Sequence, residues 1–217
     1  MAQKVYNLII LDASGSMESI REQARTGVNE TIQTIKKAME ENPEQTHFVT
    51  FASFNSNGIN VVYDRVLASK VVELKRDDYR PNACTPLYDA IGTTVTNLKD
   101  YVEKGDVVLV TIITDGYENS SKEFSQPMIS RMIADLRKQD WVFTYIGANQ
   151  DVEREARKMN INNSMKFEAS VEGIKDMFLK ERESRMCFCL KANKASKGEI
   201  DRAELQDNYF VDDDSDD

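Results

Sequence analysis

The apolar positions of this 217-residue chain fall into two kinds of run. Residues 4–12 and 106–113 are apolar almost without interruption, as in strands buried on both faces. Elsewhere apolar residues recur every three or four positions. Val28, Ile32, Ile35 and Met39 form one stripe of an amphipathic helix, which Asn42-Pro43 ends. Leu87, Ile91, Val95, Leu98 and Val102 form a second, with Pro86 suited to its first turn and Gly105 closing it. His47–Phe54 and Ile59–Val66 are rich in β-branched and aromatic residues. The Asn55-Ser56-Asn57-Gly58 stretch between them predicts a hairpin. Val71, Val72 and Leu74 suggest a short edge strand. A helix is expected over 125–138, with Ser125 as its N-cap and Pro127 just inside. A strand over 141–146, a short helix near 151–159, a strand near 164–168 and a helix from 171 to 185 or beyond follow. After Lys191 the pattern fades.

Strands alternating with helices of this length predict an α/β fold: a doubly wound, mostly parallel central sheet with helices on both faces and one antiparallel edge strand. Residues 1–195 are expected to form that domain and 196–217 an acidic tail, read as a disordered, solubilising end.

Charge sharpens the division. The formal net charge is −9, and residues 199–217 hold nine acids against Arg202 alone, so the body is nearly neutral. No basic stripe suits a phosphate backbone, which argues against nucleic acid as a partner. No apolar run approaches the roughly 18 residues of a membrane span. The N-terminus lacks the apolar stretch and small-residue cleavage site of a signal peptide, so a cytoplasmic location is expected. Three cysteines without framework spacing are expected to be reduced thiols.

The candidate chemistry lies where the two continuous apolar runs stop. The first ends in Asp12-Ala13-Ser14-Gly15-Ser16 and the second in Thr114-Asp115-Gly116. In a parallel α/β sheet, ligands gather beyond the carboxyl ends of the strands, so both stretches should share one surface. Asp and Ser at alternate positions of a turning loop can aim oxygens at one point, and Gly15 lets the backbone turn closely there. Hard cations such as Mg²⁺ or Mn²⁺ prefer such donors, whereas zinc or copper would favour His or Cys.

Asp12-Ala13-Ser14-Gly15-Ser16, followed by Thr85 and Asp115, resembles the metal-ion-dependent adhesion site of von Willebrand factor A domains, whose signature is D-x-S-x-S, a later Thr and a later Asp. The likeness covers roughly residues 4–190 in order and spacing, and is nearer to small stand-alone bacterial or phage-type members, including those of tellurite-resistance clusters. It implies a Rossmann-like fold and a bound Mg²⁺ or Mn²⁺. Ser14 and Ser16 would be direct ligands, Thr85 a direct ligand in at least one state, and Asp12 and Asp115 would act directly or through water. It also implies a protein partner that supplies a Glu or Asp as the last ligand. Many relatives carry Gly just before the Thr, where Ala83-Cys84 stands here.

Around this set, Glu118 and Asn119 read either as a solvated loop or as support for the ligands. Asp89 reads as a holder of the Thr85 loop or as a complement to a helix dipole. His47, the only histidine, reads as structural. No catalysis is expected. Ser14 stands where an aspartyl phosphatase would place its general acid, and no Ser-His-Asp set, G-x-x-x-x-G-K-[ST] or G-x-G-x-x-G occurs. A tail carboxylate could itself enter a metal site, with Asn208-Tyr209-Phe210-Val211 as apolar anchors, allowing self-association. The alternative class is a scaffold whose metal is structural and whose recognition runs through the tail.

Overall fold

The computed structural model describes residues 2–148, 151–206 and 208–210. Its centre is a six-stranded sheet in the order β3-β2-β1-β4-β5-β6, where β1 is Gln3–Asp12, β2 Gln45–Asn55, β3 Gly58–Leu67, β4 Val107–Thr114, β5 Trp141–Ala148 and β6 Asn163–Phe167. All neighbouring strands run parallel except β3, which returns antiparallel to β2 at one edge. The five longer helices are α1 (Arg21–Glu41), α2 (Leu87–Lys99), α3 (Gln126–Arg137), α4 (Val152–Lys158) and α5 (Val171–Ser196).

Alternation along β1 explains the layering. Tyr6, Leu8 and Ile10 point to one face and pack with Leu87, Ile91 and Val95 of α2 and Ile129 and Ile133 of α3. Ile9 and Leu11 point to the other face and meet Val28, Ile32 and Ile35 of α1 and Phe178 of α5. With helices on both sides, β1 and β4 bury nearly all their side chains, which is why they read as unbroken apolar runs. The α1–α5 contact is close because Gly27 leaves room for the Phe178 ring, whose nearest atom lies 2.0 Å from where a Cβ would stand.

Three expectations are corrected. Residues 71–74 form no strand; Val71 and Leu74 are buried, and the Leu74 backbone is held by the Asn29 side chain of α1 in both directions, at 2.7 and 3.2 Å. A side-chain amide has taken the place of a sheet partner. Helix α2 ends at Lys99, before Gly105, and Val102 packs on the core from the turn that follows. A 3₁₀ turn, Gly15–Ile20, separates the Asp12–Ser16 loop from α1.

The third concerns the C-terminus. The packed body does not stop at residue 195. Helix α5 runs on to Ser196, a further 3₁₀ turn spans Arg202–Leu205, and Leu205 and Tyr209 are buried. They cover Val107, Leu109 and Val142 near the amino ends of β4 and β5. Asp212–Asp217 lie outside the described residues. Cys84, Cys187 and Cys189 are all free thiols. Among the described residues, no helix is long and apolar enough to cross a membrane.

Candidate functional site

Strands β1 and β4 are hydrogen-bonded neighbours, with Leu11 opposite Ile113, so their carboxyl ends emerge side by side. The next residues are Asp12 and Thr114, and the Thr114 hydroxyl donates to Asp12 Oδ2 at 2.6 Å. The other carboxylate oxygen, Oδ1, accepts the Ser14 N–H at 2.7 Å, which fixes the turn after β1. Tyr79, fully buried, donates its hydroxyl to the Asp12 carbonyl at 2.6 Å.

The turn brings the serines together. Ser14 Oγ and Ser16 Oγ are 3.2 Å apart, and the Ser16 hydroxyl donates to Asp115 Oδ1 at 2.6 Å. Thr85 is buried, and its Oγ1 lies 3.6 Å from the point where a Cβ on Gly116 would stand; Ser16 Oγ lies 4.0 Å from the same point. All five residues singled out in the sequence therefore converge on one small region at the carboxyl ends of the central strands.

Thr85 is held from two sides. Gly15 N donates to the Ala83 carbonyl at 3.0 Å, and Ser56 of the β2–β3 hairpin bonds both backbone groups of Cys84. Ala83 has a φ of +63°, so alanine occupies a left-handed position that glycine would fill without strain. On the far side, Asn119 bonds the Thr85 backbone. Asn119 and Glu118, allowed in the sequence as a solvated loop, are hydrogen-bonded into the structure around Thr85. Asp89 accepts the backbone N–H groups of Lys122, Glu123 and Phe124 at 2.7–2.9 Å, so it holds the loop after β4 rather than the Thr85 loop directly.

The electrostatics are lopsided. Asp12 and Asp115 are at most 5% exposed, and among the described residues no Lys or Arg pairs with either. Burial pushes the Asp12 carboxyl up to about 6, against the hydrogen bonds from Thr114 and Ser14 that favour its charged form. Burial likewise raises Asp115, opposed by the Ser16 hydroxyl.

The donor set fits a hard dication. Two carboxylates balance its charge, three hydroxyls add none, and neighbouring oxygens around Mg²⁺ at about 2.1 Å stand about 3 Å apart, close to the 3.2 Å between the serine oxygens. Gly116 keeps that space open. Among the described residues, no cluster of three or more His, Cys, Asp or Glu could hold a metal ion, so a site of the zinc kind is not present there. His47 lies elsewhere, buried beside Gln45 and Asn7.

The model of the von Willebrand factor type A domain matches residues 8–179, a span running from β1 into α5. The chain belongs to the von Willebrand factor type A (VWA) family. No characterised protein sequence gives a significant match. Among solved structures, the chain is similar to the von Willebrand factor type A protein from Catenulispora acidiphila, at 17% identity and a TM-score of 0.56, over 82% of this chain and 42% of that one. It is similar to the VWA domain of SpRpn10, at 13% identity and a TM-score of 0.56, over 81% and 94%. The pilus adhesin SpaC from Lactobacillus rhamnosus GG gives a TM-score of 0.65 at 14% identity, over 85% of this chain and 31% of the adhesin. The chain thus spans less than half of the Catenulispora protein and of the adhesin, and at these identities the likeness concerns the fold. VWA domains are protein-interaction modules.

Proposed function

We propose that this VWA domain is a metal-dependent protein-binding module. Asp12, Ser14, Ser16, Thr85 and Asp115 would hold Mg²⁺ or Mn²⁺, and an acidic side chain of a partner protein would complete the ion's coordination. The observation that carries this reading is the pair of buried carboxylates, joined through serine hydroxyls and paired with no cation among the described residues. A dication balanced by two carboxylates and otherwise bound by neutral oxygens stays electrophilic toward one more carboxylate. The action is binding, with no bond made or broken. Three free thiols support a reducing, cytoplasmic setting.

Calorimetric titration of Mg²⁺ and Mn²⁺ into the cation-free protein tests the site, with Asp12→Ala alongside. Saturable binding in the native protein alone is expected, and partner capture should then be lost in EDTA. Capture that survives EDTA overturns the reading.

A second reading is favoured by the docking of Leu205 and Tyr209, which anchors the chain just ahead of five aspartates in residues 211–217. Those carboxylates could serve as the partner acid for another copy, or recognise a partner while the metal serves only the fold. Truncation after Phe210 separates these cases. A change in oligomeric state supports self-association, and EDTA-resistant capture that truncation abolishes supports the scaffold.

A further inference from the structure

The loops that carry Thr85 and Asp115 are fastened to each other by side chains from the segment after Asp115. Asn119 Oδ1 accepts the Thr85 N–H at 2.9 Å, and the Asn119 N–H donates to the Thr85 carbonyl at 3.2 Å. Both backbone groups of the candidate ligand are therefore bound to one residue. Glu118 Oε2 accepts the Tyr88 N–H at 3.0 Å, in the first turn of α2, and the Ser121 hydroxyl at 2.7 Å. Its Oε1 accepts the N–H groups of Ser120 and Ser121 at 2.8 and 2.7 Å. The Asp89 N–H in turn donates to Ser121 Oγ at 3.1 Å. Among the described residues, each hydrogen-bond partner of Glu118 is a donor, three backbone N–H groups and the Ser121 hydroxyl, so the carboxylate holds the loop to the start of α2.

With the β2–β3 hairpin bonding Cys84 on the other side, Thr85 can move neither toward nor away from Asp115 without breaking several of these bonds. That rigidity bears on which ion fits. Mg²⁺ demands a near-ideal octahedron at about 2.0–2.1 Å, whereas Ca²⁺ accepts six to eight irregular ligands at about 2.3–2.6 Å. A fixed Thr85–Asp115 spacing favours the smaller, stricter ion, and a slack one removes that preference.

We propose that Asn119 and Glu118 are positioning residues that fix Thr85 against Asp115 and so make the site select Mg²⁺ over Ca²⁺. The inference rests on the cation reading above and adds to it the residues that set the preference. Neither residue is among the five that would hold the ion. Their effect passes through the Thr85 and Tyr88 backbone, which explains why both lie outside the D-x-S-x-S, Thr and Asp pattern.

The test titrates Mg²⁺ and Ca²⁺ separately into the cation-free full chain, into Asn119→Ala and into Asn119→Asp, and records the melting temperature of each without cation. Asn119 is exposed, so the variants should fold. The native chain should prefer Mg²⁺, and Asn119→Ala should lose that preference by about tenfold, the usual lower bound for removing a residue that orients a metal ligand. Asn119→Asp keeps the acceptor for the Thr85 N–H and should keep the ratio, even if its added charge strengthens both ions alike. Glu118→Gln, which sets an amide N–H against a donor, should lower the ratio in the same direction. A merely structural role would lower the melting temperature and leave the ratio unmoved, and that outcome overturns the inference while native binding leaves the cation reading standing. A native chain that binds neither ion overturns both.

Discussion

Asp12 is a fully buried carboxylate with no Lys or Arg paired to it among the described residues, and that burial opposes its ionisation. In the cation-free fold its carboxyl titrates at about 6, above the ordinary 3.8. Its contribution to stability is therefore full below pH 3.8 and lost as the pH rises through 6, because the folded state holds the proton longer than the unfolded chain does. At neutral pH the buried charge opposes folding by about 3 kcal/mol. Asp12→Asn removes the charge and keeps an acceptor for the Ser14 N–H, while the Thr114 hydroxyl can turn to the Gly116 carbonyl, 3.2 Å away. The variant should gain about 2 kcal/mol without cation, a rise of roughly 4–8 °C in melting temperature, and Mg²⁺ should no longer shift it. A lower melting temperature than the native protein would show that the carboxylate is not a burden on the fold. Asp12, Ser14, Ser16 and Asp115 are legible as oxygen donors because they follow the ends of two continuous apolar runs, whereas Thr85, just ahead of α2, is picked out only by the family resemblance. Thr114 and Tyr79, which hold Asp12, are not legible in that role, because they lie 102 and 67 residues away in sequence. For Asn119 the sequence leaves a solvated loop and support for the ligands both open, since a short polar side chain bound to backbone gives no pattern.

At the scale of elements, periodicity located what buries apolar faces and missed what buries polar ones. The fully buried strands β1 and β4 and the stripes of α1 and α2 were plain in the sequence. Helix α5 was placed but its inner face was not, because Glu181, Ser184 and Arg185 point into the core where apolar residues are the usual occupants. Arg185 bonds Glu181 at 2.6 and 2.9 Å, Asn7 at 2.8 Å and Thr111 at 2.8 Å, with both charges essentially unexposed. Tyr209 donates to the same Glu181 oxygen at 3.1 Å, so the C-terminal segment closes this polar core. Its apolar residues were visible amid the acids, but composition alone assigned the whole stretch to solvent. Arg185→Leu should cost about 3–5 kcal/mol in urea unfolding, since it strands Glu181 as an unpaired buried charge. Combining it with Glu181→Leu should recover most of that loss, and a double variant as weak as the single one would assign the cost to packing. Gly27→Ala tests the α1–α5 contact separately. A methyl there meets the Phe178 ring, and overpacking of this kind should cost about 1–3 kcal/mol.

On the scale of the whole molecule, two buried titrating groups oppose each other. Asp12 sits at the carboxyl ends of the strands, and His47 sits near the start of β2, three residues into the strand. Burial, with the Arg185 charge behind it, lowers His47 to about 4 from its ordinary 6.5. The unfolded chain therefore takes up this proton first as the pH falls. Stability from His47 is full above pH 6.5 and falls by about 3 kcal/mol on the way to pH 4. Over nearly the same interval, 6 down to 3.8, the cation-free Asp12 contributes a gain of similar size, because there the folded state takes up the proton first. The two slopes oppose each other, so the denaturation midpoint of the cation-free protein should fall less between pH 6.5 and 4 than the His47 loss alone would make it. On the proposed cation reading, saturating Mg²⁺ would hold Asp12 ionised in the folded state and remove its compensating gain, leaving the His47 loss exposed. With cation the denaturation midpoint should fall steadily through that window while remaining above the cation-free value near neutrality. Parallel pH profiles with and without Mg²⁺ would show that the ion does not engage Asp12. A cation-free profile that still falls steeply would place the acid-labile group somewhere other than this pair.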